Sequence, residues 1–590
     1  MAWTSSYAIV LLLVCVDSSV VRRTNLQLPK IRFGRGVLRR SLRTKALDST
    51  PSEASGCPVS RAKSAISEVL RRNDENESTS PRTTEVIPIP GPKGLPADLI
   101  SNSIHVMKIP IYGIEEATLR WGQAFGPIVR FDNSNLGIKS WVFVNEPNLI
   151  EHVCFKNAMN YKERYLPDIY RFATQGKGIL GSTGEFNLKH RKMCKAPFTS
   201  KRYLKLFADT TSRMAKELTT VWRESSDSGV VTADIADHVQ RLTLDVIGDV
   251  AFTYDFGGMK YVERSLQGDS TKGNSDKLME YVNKWTGHVG KLAAPWITEG
   301  VLEAGTKMGD PRLTDLKSVI ESMRGILFKI IEERREMVRN NDPDVPEDLM
   351  TSLIRIQAEE GLDSFSDVEL WEDIHDVMGA GHETTANTLA TALWEVSMHP
   401  EVGAKVREEL ETVLGKGPNS RLPSYEDWEA GSLKYTTQVV KETLRMYPSI
   451  PLFVREVGED DVLPGGYQMQ GGDVVFMSAY ALGRTERFWP EPFKFDPERF
   501  ANDEDVAPYT WLPFGAGPRM CLGSNFAMMS TVLQLATILH DYSFEPVTPN
   551  YRSSEQSNIP RLGAWRGGMP FEYDMTISFP EGCTLRATPN

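Results

Sequence analysis

A chain of 590 residues exceeds the ~250–300 at which a single apolar core stops growing, so it holds several domains or one large fold around a bulky buried group. Hydrophobic content of 41% and charged content of 25% are ordinary globular values and exclude disorder of the whole chain. A net charge of -11 argues against a nucleic-acid partner, because phosphate binding needs clustered Lys and Arg.

In chain order, a targeting pattern comes first. Ala8 to Val16 is an unbroken apolar run, suited to a signal segment and too short for a membrane span of ~20 residues. Between Ser19 and Leu47 stand nine Arg or Lys and no acid, the composition of an organelle transit peptide. The succession predicts a targeting segment over 1–47 and two-step import into a plastid wrapped in extra membranes. The alternative is a signal anchor in the endoplasmic reticulum membrane. Residues 48–85, with SEASG and RRNDENESTS, read as a polar linker. Nine basic residues against Asp17 and Asp48 give the first fifty residues +7, which leaves -18 for the rest.

A single domain with a C-terminal tail is expected over 86–590. It opens on IPIPGPKGLP, a proline-stiffened lead-in ending at Pro96. Helices are expected at 202–222, 237–252, 314–340, 366–398, 401–414, 432–447 and 524–540. Short strands are expected at Ile128–Phe131, Trp141–Val144, Gln468–Met469 and Val474–Met477. The fold class is therefore mainly α with small β-sheets. Neither a solenoid period nor a glycine-rich nucleotide loop occurs, so the chain does not hold NADPH or ATP by those means. The six cysteines include no C-x-x-C pair, which argues against a disulfide framework or a zinc site and for a reducing compartment.

One cysteine has a distinctive context, PFGAGPRMCLGSNFAM from Pro513 to Met528. A lone cysteine beside a glycine turn is more often a buried structural thiol. Here Phe514, Gly517, Arg519, Cys521 and Gly523 fill every fixed place of F-x-x-G-x-R-x-C-x-G, and the stretch resembles the ligand loop of the cytochrome P450 family. The resemblance implies a helical prism around a buried haem b (iron protoporphyrin IX), with Cys521 as the iron's axial thiolate. Such a ligand pushes electron density onto iron and favours O–O cleavage. A position at a helix start should lower the thiol's pKa. Gly517 and Gly523 are expected to let the backbone approach the porphyrin closely. Phe514 would shield the sulfur and Arg519 would pair with a propionate.

The same family accounts for DVMGAGHETTANTLATALW, from Asp376 to Trp394. Gly379 and Gly381 each cost a helix about 1 kcal/mol relative to Ala, and a glycine helix contact is the plainer explanation. By resemblance, Ala380, Gly381, Glu383 and Thr384 cross the distal haem face. The small residues leave room for dioxygen, Thr384 hydrogen-bonds the bound oxygen and Glu383 feeds protons. Glu442 and Arg445 in KETLRMYP lie at i, i+3, a weak signal alone; the family locks them to the Arg of a P-E-R-F segment, here Arg499. GEFNLKHRK resembles the W-x-x-x-R helix, with Arg191 as a propionate ligand and Asn187 where Trp is usual. Arg455 occupies another propionate-facing place.

The resemblance spans roughly residues 85–545. LTLDVIGDVAFTYDF, YKERYLPDIYRFATQGKGIL, LPGGYQM and GPRMCLGSNFAMM are similar to the plastid carotenoid ring hydroxylases. It implies a monooxygenase that takes O2 and two electrons from an external donor and hydroxylates a hydrophobic small molecule, a carotenoid ionone ring. The donor is ferredoxin in a plastid, or a flavoprotein NADPH reductase in the endoplasmic reticulum. Residues 257–312 would form substrate access at a membrane surface. The rivals are a fatty-acid or sterol hydroxylase and a donor-independent haem-thiolate isomerase or dehydratase; Thr384 and the ordinary loop length speak against the last.

Overall fold

The computed structural model describes residues 114–132, 139–269, 273–292, 297–547, 572–573, 576–579 and 582–590. The expected targeting segment, linker and proline lead-in lie outside the described residues.

Most of the molecule is helical, and its central element is buried almost all round. Seven helices position the site: α1 (Gly184–Thr199), α2 (Lys201–Glu224), α3 (Ile235–Phe252), α4 (Pro311–Arg339), α5 (Asp367–Met398), α6 (Lys434–Met446) and α7 (Ser524–Asp541). The 32-residue α5 starts on a reciprocal cap. Ser366 accepts from the Glu369 N–H while the Glu369 carboxylate accepts from the Ser366 N–H, a device worth about 1 kcal/mol. Asp234 caps α3 by accepting from the N–H groups of Ala236 and Asp237 at 3.1 and 3.3 Å. Thr253, left-handed at φ 46°, ends that helix. α3 packs along α5, α2 along α7, and α7 against α5. Apolar side chains of all these helices, with Trp222 and Trp394 fully buried, form one continuous core.

The sheets are small and lie to the side. β1 (Ile128–Phe131) and β2 (Trp141–Val144) are antiparallel. With β4 (Leu452–Glu456) and β7 (Val474–Ser478) they form a sheet of order β1-β2-β7-β4, in which β2 runs parallel to β7 with Trp141 opposite Val474. Both central strands are buried on both faces, which explains their unbroken apolar runs. β3 (Val231–Asp234), β8 (Tyr542–Pro546) and β11 (Thr584–Pro589) make a second, antiparallel sheet with β11 in the middle. Two hairpins remain, β5 (Asp461–Leu463) with β6 (Tyr467–Met469), and β9 (Glu572–Tyr573) with β10 (Ile577–Ser578).

The expected helices are all present, within three residues at either end. The four expected strands are present, while β3, β4, β5, β8, β9, β10 and β11 were not anticipated. Strands of two to six residues carry too few alternations to count, and β4 is interrupted by Arg455. Among the described residues no helix is long and apolar enough to cross a membrane. The expected access region contributes helices Gly258–Leu266, Asn274–Leu292 and Glu299–Lys307.

Candidate active site

Cys521 stands in the turn that feeds α7. The loop before it is closed by backbone bonds: Cys521 N–H donates to Phe514 O at 2.9 Å and Met520 N–H to Gly517 O at 3.0 Å. Phe514 is half-buried and meets Trp511 edge-on. Gly517 is left-handed at φ 69°, and a Cβ there would lie 2.2 Å from the Cys154 carbonyl oxygen. The Cys154 backbone by itself therefore requires glycine at this position. Gly523 differs: a Cβ would meet nothing closer than Phe198 at 3.9 Å.

Cys521 is exposed, yet the protein packed around its thiol dominates its ionisation and pushes its pKa up. A Gly523 N–H bond and the guanidinium groups of Arg164 and Arg191 pull the pKa back, without reversing the shift. The helix start and its cations therefore do not keep the thiolate by themselves, contrary to expectation. A metal ion does so outright, because a coordinating thiol is deprotonated.

Four arginines surround this face: Arg164, Arg191, Arg455 and Arg519. All hydrogen bonds found for them end on backbone carbonyls. Arg519 donates to Ser182 O at 2.9 Å and Leu180 O at 3.4 Å, and Arg455 to Ala516 O at 2.9 Å and Val454 O at 2.8 Å. Arg191 donates to Met520 O at 2.8 Å, and Arg164 to Leu180 O and Arg519 O, both at 3.4 Å. Among the described residues none of the four forms an ion pair. Burial, then the repulsion of the other three guanidinium groups, lowers Arg519 to about 9. Burial first, with Arg164 and Arg191 adding to it, lowers Arg455 to about 10. Four crowded cations with no carboxylate in ion-pair reach among the described residues fit a group that brings two carboxylates.

Sequence reasoning named three of these and missed Arg164, although it lies in a quoted stretch, YKERYLP. No spacing rule marks it. Asn187 is buried, and its amide donates to Ile179 O at 2.8 Å and Ser182 Oγ at 3.1 Å. Both amide protons are thereby committed to the protein's own oxygens.

Behind the cysteine loop, the Glu442–Arg445–Arg499 group assembles as expected. Arg445 Nε and Nη2 donate to the two Glu442 oxygens at 2.6 and 2.8 Å, with both side chains fully buried. Arg499 Nε stands 3.4 Å from Glu442 Oε1. Asp496 N–H also donates to Glu442 at 2.9 Å, and Arg445 Nη1 reaches Pro492 O at 2.8 Å.

On α5, Ala380 is exposed in the middle of a buried helix and Thr384 is half-buried. Thr384 donates its hydroxyl to Ala380 O at 2.7 Å. The Thr384 carbonyl accepts from Thr388 Oγ1 at 2.8 Å and from Ser449 Oγ at 3.0 Å. Side-chain insertion of this kind loosens a helix ladder. The glycines divide. Gly379 faces open space, whereas a Cβ on Gly381 would strike Ile247 at 2.7 Å. Gly381 therefore serves the contact of α5 with α3, the plainer of the two explanations for a glycine here.

An unanticipated feature joins these two regions. Glu372 and Asp376 of α5 accept the N–H groups of a loop: Gln175, Lys177 and Gly178 on Glu372 at 2.6, 2.5 and 2.8 Å, and Leu180 on Asp376 at 2.8 Å. The same loop's carbonyls, at Ile179, Leu180 and Ser182, receive Asn187, Arg164 and Arg519. A Cβ on Gly178 would stand 2.5 Å from Asp376 Oδ2.

Comparison with known proteins accords with this geometry. The family model described as Cytochrome P450 matches residues 112–561. The chain belongs to the cytochrome P450 family, the haem-thiolate monooxygenases. Membership implies a haem, dioxygen and an external electron donor, and the exposed cysteine beside an unmatched guanidinium cluster fits the haem. Among similar proteins, LUTEIN DEFICIENT 5, chloroplastic, of Arabidopsis thaliana is 28% identical, with 74% of this chain and 69% of that protein aligned. Carotene epsilon-monooxygenase, chloroplastic, of the same plant is 26% identical over 76% of this chain and 79% of its own length. Cytochrome P450 97B2, chloroplastic, of Glycine max is 28% identical over 69% and 75%.

Proposed function

We propose that this chain is a plastid monooxygenase that hydroxylates the ionone ring of a carotenoid, with ferredoxin as electron donor and a membrane surface as its workplace. The likeness to a chloroplastic carotene epsilon-monooxygenase over 76% of the chain carries the substrate reading. The transit-like segment over 1–47 supports the compartment.

A haem held here would supply reductive activation of dioxygen and the insertion of one oxygen atom into a substrate C–H bond. Every other role belongs to the chain. Cys521, held by the loop bonds of Phe514 and Gly517, would hold the iron. Arg164, Arg191, Arg455 and Arg519 would hold its carboxylates. The Glu442–Arg445–Arg499 group keeps the loop's support rigid. Ala380 leaves space on the oxygen side, and Thr384 with Glu383 holds and passes protons there.

The test is product analysis of residues 85–590 in bacteria accumulating β-carotene, with ferredoxin and its reductase supplied. Hydroxylated carotenoid, lost in Cys521→Ser together with the red-shifted Soret band of the reduced carbon monoxide complex, is the expected result. Haem-bound protein that leaves carotene untouched and hydroxylates fatty acids or sterols would overturn the substrate. An unchanged Soret band in Cys521→Ser would overturn the ligand.

A further inference from the structure

The C-terminal hairpin grips α5 at one turn. Thr576, only 4% exposed, donates its hydroxyl to Glu383 Oε1 at 2.5 Å. At the next residue, Ile577 O accepts from Asn387 Nδ2 at 2.5 Å and Ile577 N–H donates to Ser449 O at 3.1 Å. Ser449 in turn bonds the Thr388 hydroxyl at 2.8 Å and donates to Thr384 O at 3.0 Å. Tyr573, at the other end of the hairpin, donates to Pro448 O at 3.0 Å. Both strands are thus tied down by bonds other than the one to Glu383.

Helical spacing gives this arrangement a direction. Glu383 and Asn387, at i and i+4, share the face of α5 that meets the hairpin. Ala380 and Thr384 share another face, rotated from it by roughly 100°. The carboxylate of Glu383 is therefore held around the helix from the hydroxyl it is to serve. Ordering a long acidic side chain costs up to about 2 kcal/mol, and a hydrogen bond to a charged group contributes about 1.5–3 kcal/mol. The Thr576 hydroxyl is enough to select one position of the carboxylate.

We propose that Thr576 is a positioning residue for proton delivery: its hydroxyl docks the Glu383 carboxylate on the C-terminal hairpin and sets its reach toward Thr384. Nearly two hundred residues separate the pair in sequence, and no motif connects them. The proposal rests on the reading of Glu383 and Thr384 as the proton path, and the experiment separates the two.

Thr576→Val keeps the shape and removes the donor, Thr576→Ala removes both, and Thr576→Ser keeps the donor. Each is compared with Glu383→Gln and with the Thr576→Val/Glu383→Gln double variant in the haem-loaded protein. The first readout is the ratio of hydroxylated product to hydrogen peroxide, with its solvent isotope effect. The second needs no turnover: the infrared carboxylate band of Glu383, identified as the one missing in Glu383→Gln.

The expected result is a fall of roughly tenfold in that ratio for Thr576→Val and Thr576→Ala, the size of one charge-assisted bond. Thr576→Ser should behave as wild type, and the double variant no worse than Glu383→Gln. The infrared band should shift in the Val and Ala variants and stay in Ser. A Val variant with wild-type ratio and band overturns the role of Thr576, as does a double variant whose losses multiply. If Glu383→Gln itself leaves the ratio unchanged, the proton-path reading falls and takes this proposal with it.

Discussion

Two regions of the molecule carry opposite charges. Around Cys521 four guanidinium groups crowd together with only carbonyl oxygens as partners. Along the first half of α5, Glu369, Glu372, Asp373 and Asp376 are buried, and burial pushes Asp373 up to about 6 although His190 Nδ1 lies 2.6 Å away. The cations are not paired with these acids. Between them runs the 175–182 loop, whose N–H groups face the carboxylates and whose carbonyls face the guanidinium groups. A peptide segment oriented this way satisfies both charge sets by hydrogen bonds while leaving the positive side short of an anion. Separation of charge is what makes the arginine face a receptor and the acid face a scaffold.

The largest predicted effect tests whether the proximal support is rigid by ion pairing. Glu442→Ala leaves Arg445 buried without its carboxylate, and breaking a buried pair on one side costs about 3–5 kcal/mol. Chemical unfolding should show that loss, whereas Lys201→Ala, in an exposed pair with Glu429, should leave the unfolding midpoint nearly unchanged. Equal small losses would mean that the proximal lock is no more than a surface contact.

Next comes the joint between the sides. Gly178→Ala forces a Cβ to 2.5 Å from Asp376 Oδ2 and 2.9 Å from Glu372 backbone, an overpacking cost of about 1–3 kcal/mol. If the loop couples acids to arginines, this variant should also lose haem faster to a scavenging apoglobin. A stability loss with unchanged haem retention would separate the two sides.

Much of this was legible beforehand, and the omissions have a common cause. The Cys521 loop, the Glu442–Arg445 pair and the long helices each lie within a short stretch, where spacing alone defines a shared face. Arg499 needed the family pattern to join Glu442 across the chain. Arg164, Ser449, Thr576 and the 175–182 loop act through contacts between distant segments, which no local period encodes. Gly381 shows the reverse: its local cost is visible in the sequence, whereas Ile247, packed against it from α3, is not. Asn187 stands where Trp is usual, and its amide bonds Ile179 and Ser182, contacts that no spacing announces.

A third test concerns pH on the scaffold side. His382, buried between α5 and α3 with Nδ1 3.1 Å from Thr243 Oγ1, has its pKa lowered from 6.5 to about 3, by burial first and then by Arg241. Its folded state binds fewer protons than the unfolded chain below pH 6.5, so its contribution to stability is lost as pH falls through that window. By pH 5 the loss relative to pH 7 is about 2 kcal/mol. His382→Leu should flatten the acid limb of the stability profile, measured by denaturant unfolding from pH 7 to pH 5. An unchanged limb would place the acid sensitivity elsewhere.

The smallest expected effect is the sharpest on the receptor side, because its two readouts should move in opposite directions. Arg164 contributes to the depressed pKa of both Arg519 and Arg455. Without an anion it destabilises its neighbours, and with one it helps to bind it. Arg164→Gln should therefore raise the stability of haem-free protein by up to about 1 kcal/mol, the scale of one partly screened like-charge contact. The same variant should lose haem roughly tenfold faster, the equivalent of one charge-assisted bond. A guanidinium kept for architecture alone would lower both quantities together, because its carbonyl bonds to Leu180 and Arg519 would vanish with nothing relieved. Opposite signs identify a cation held in place at a cost to the fold for the sake of the anion it receives.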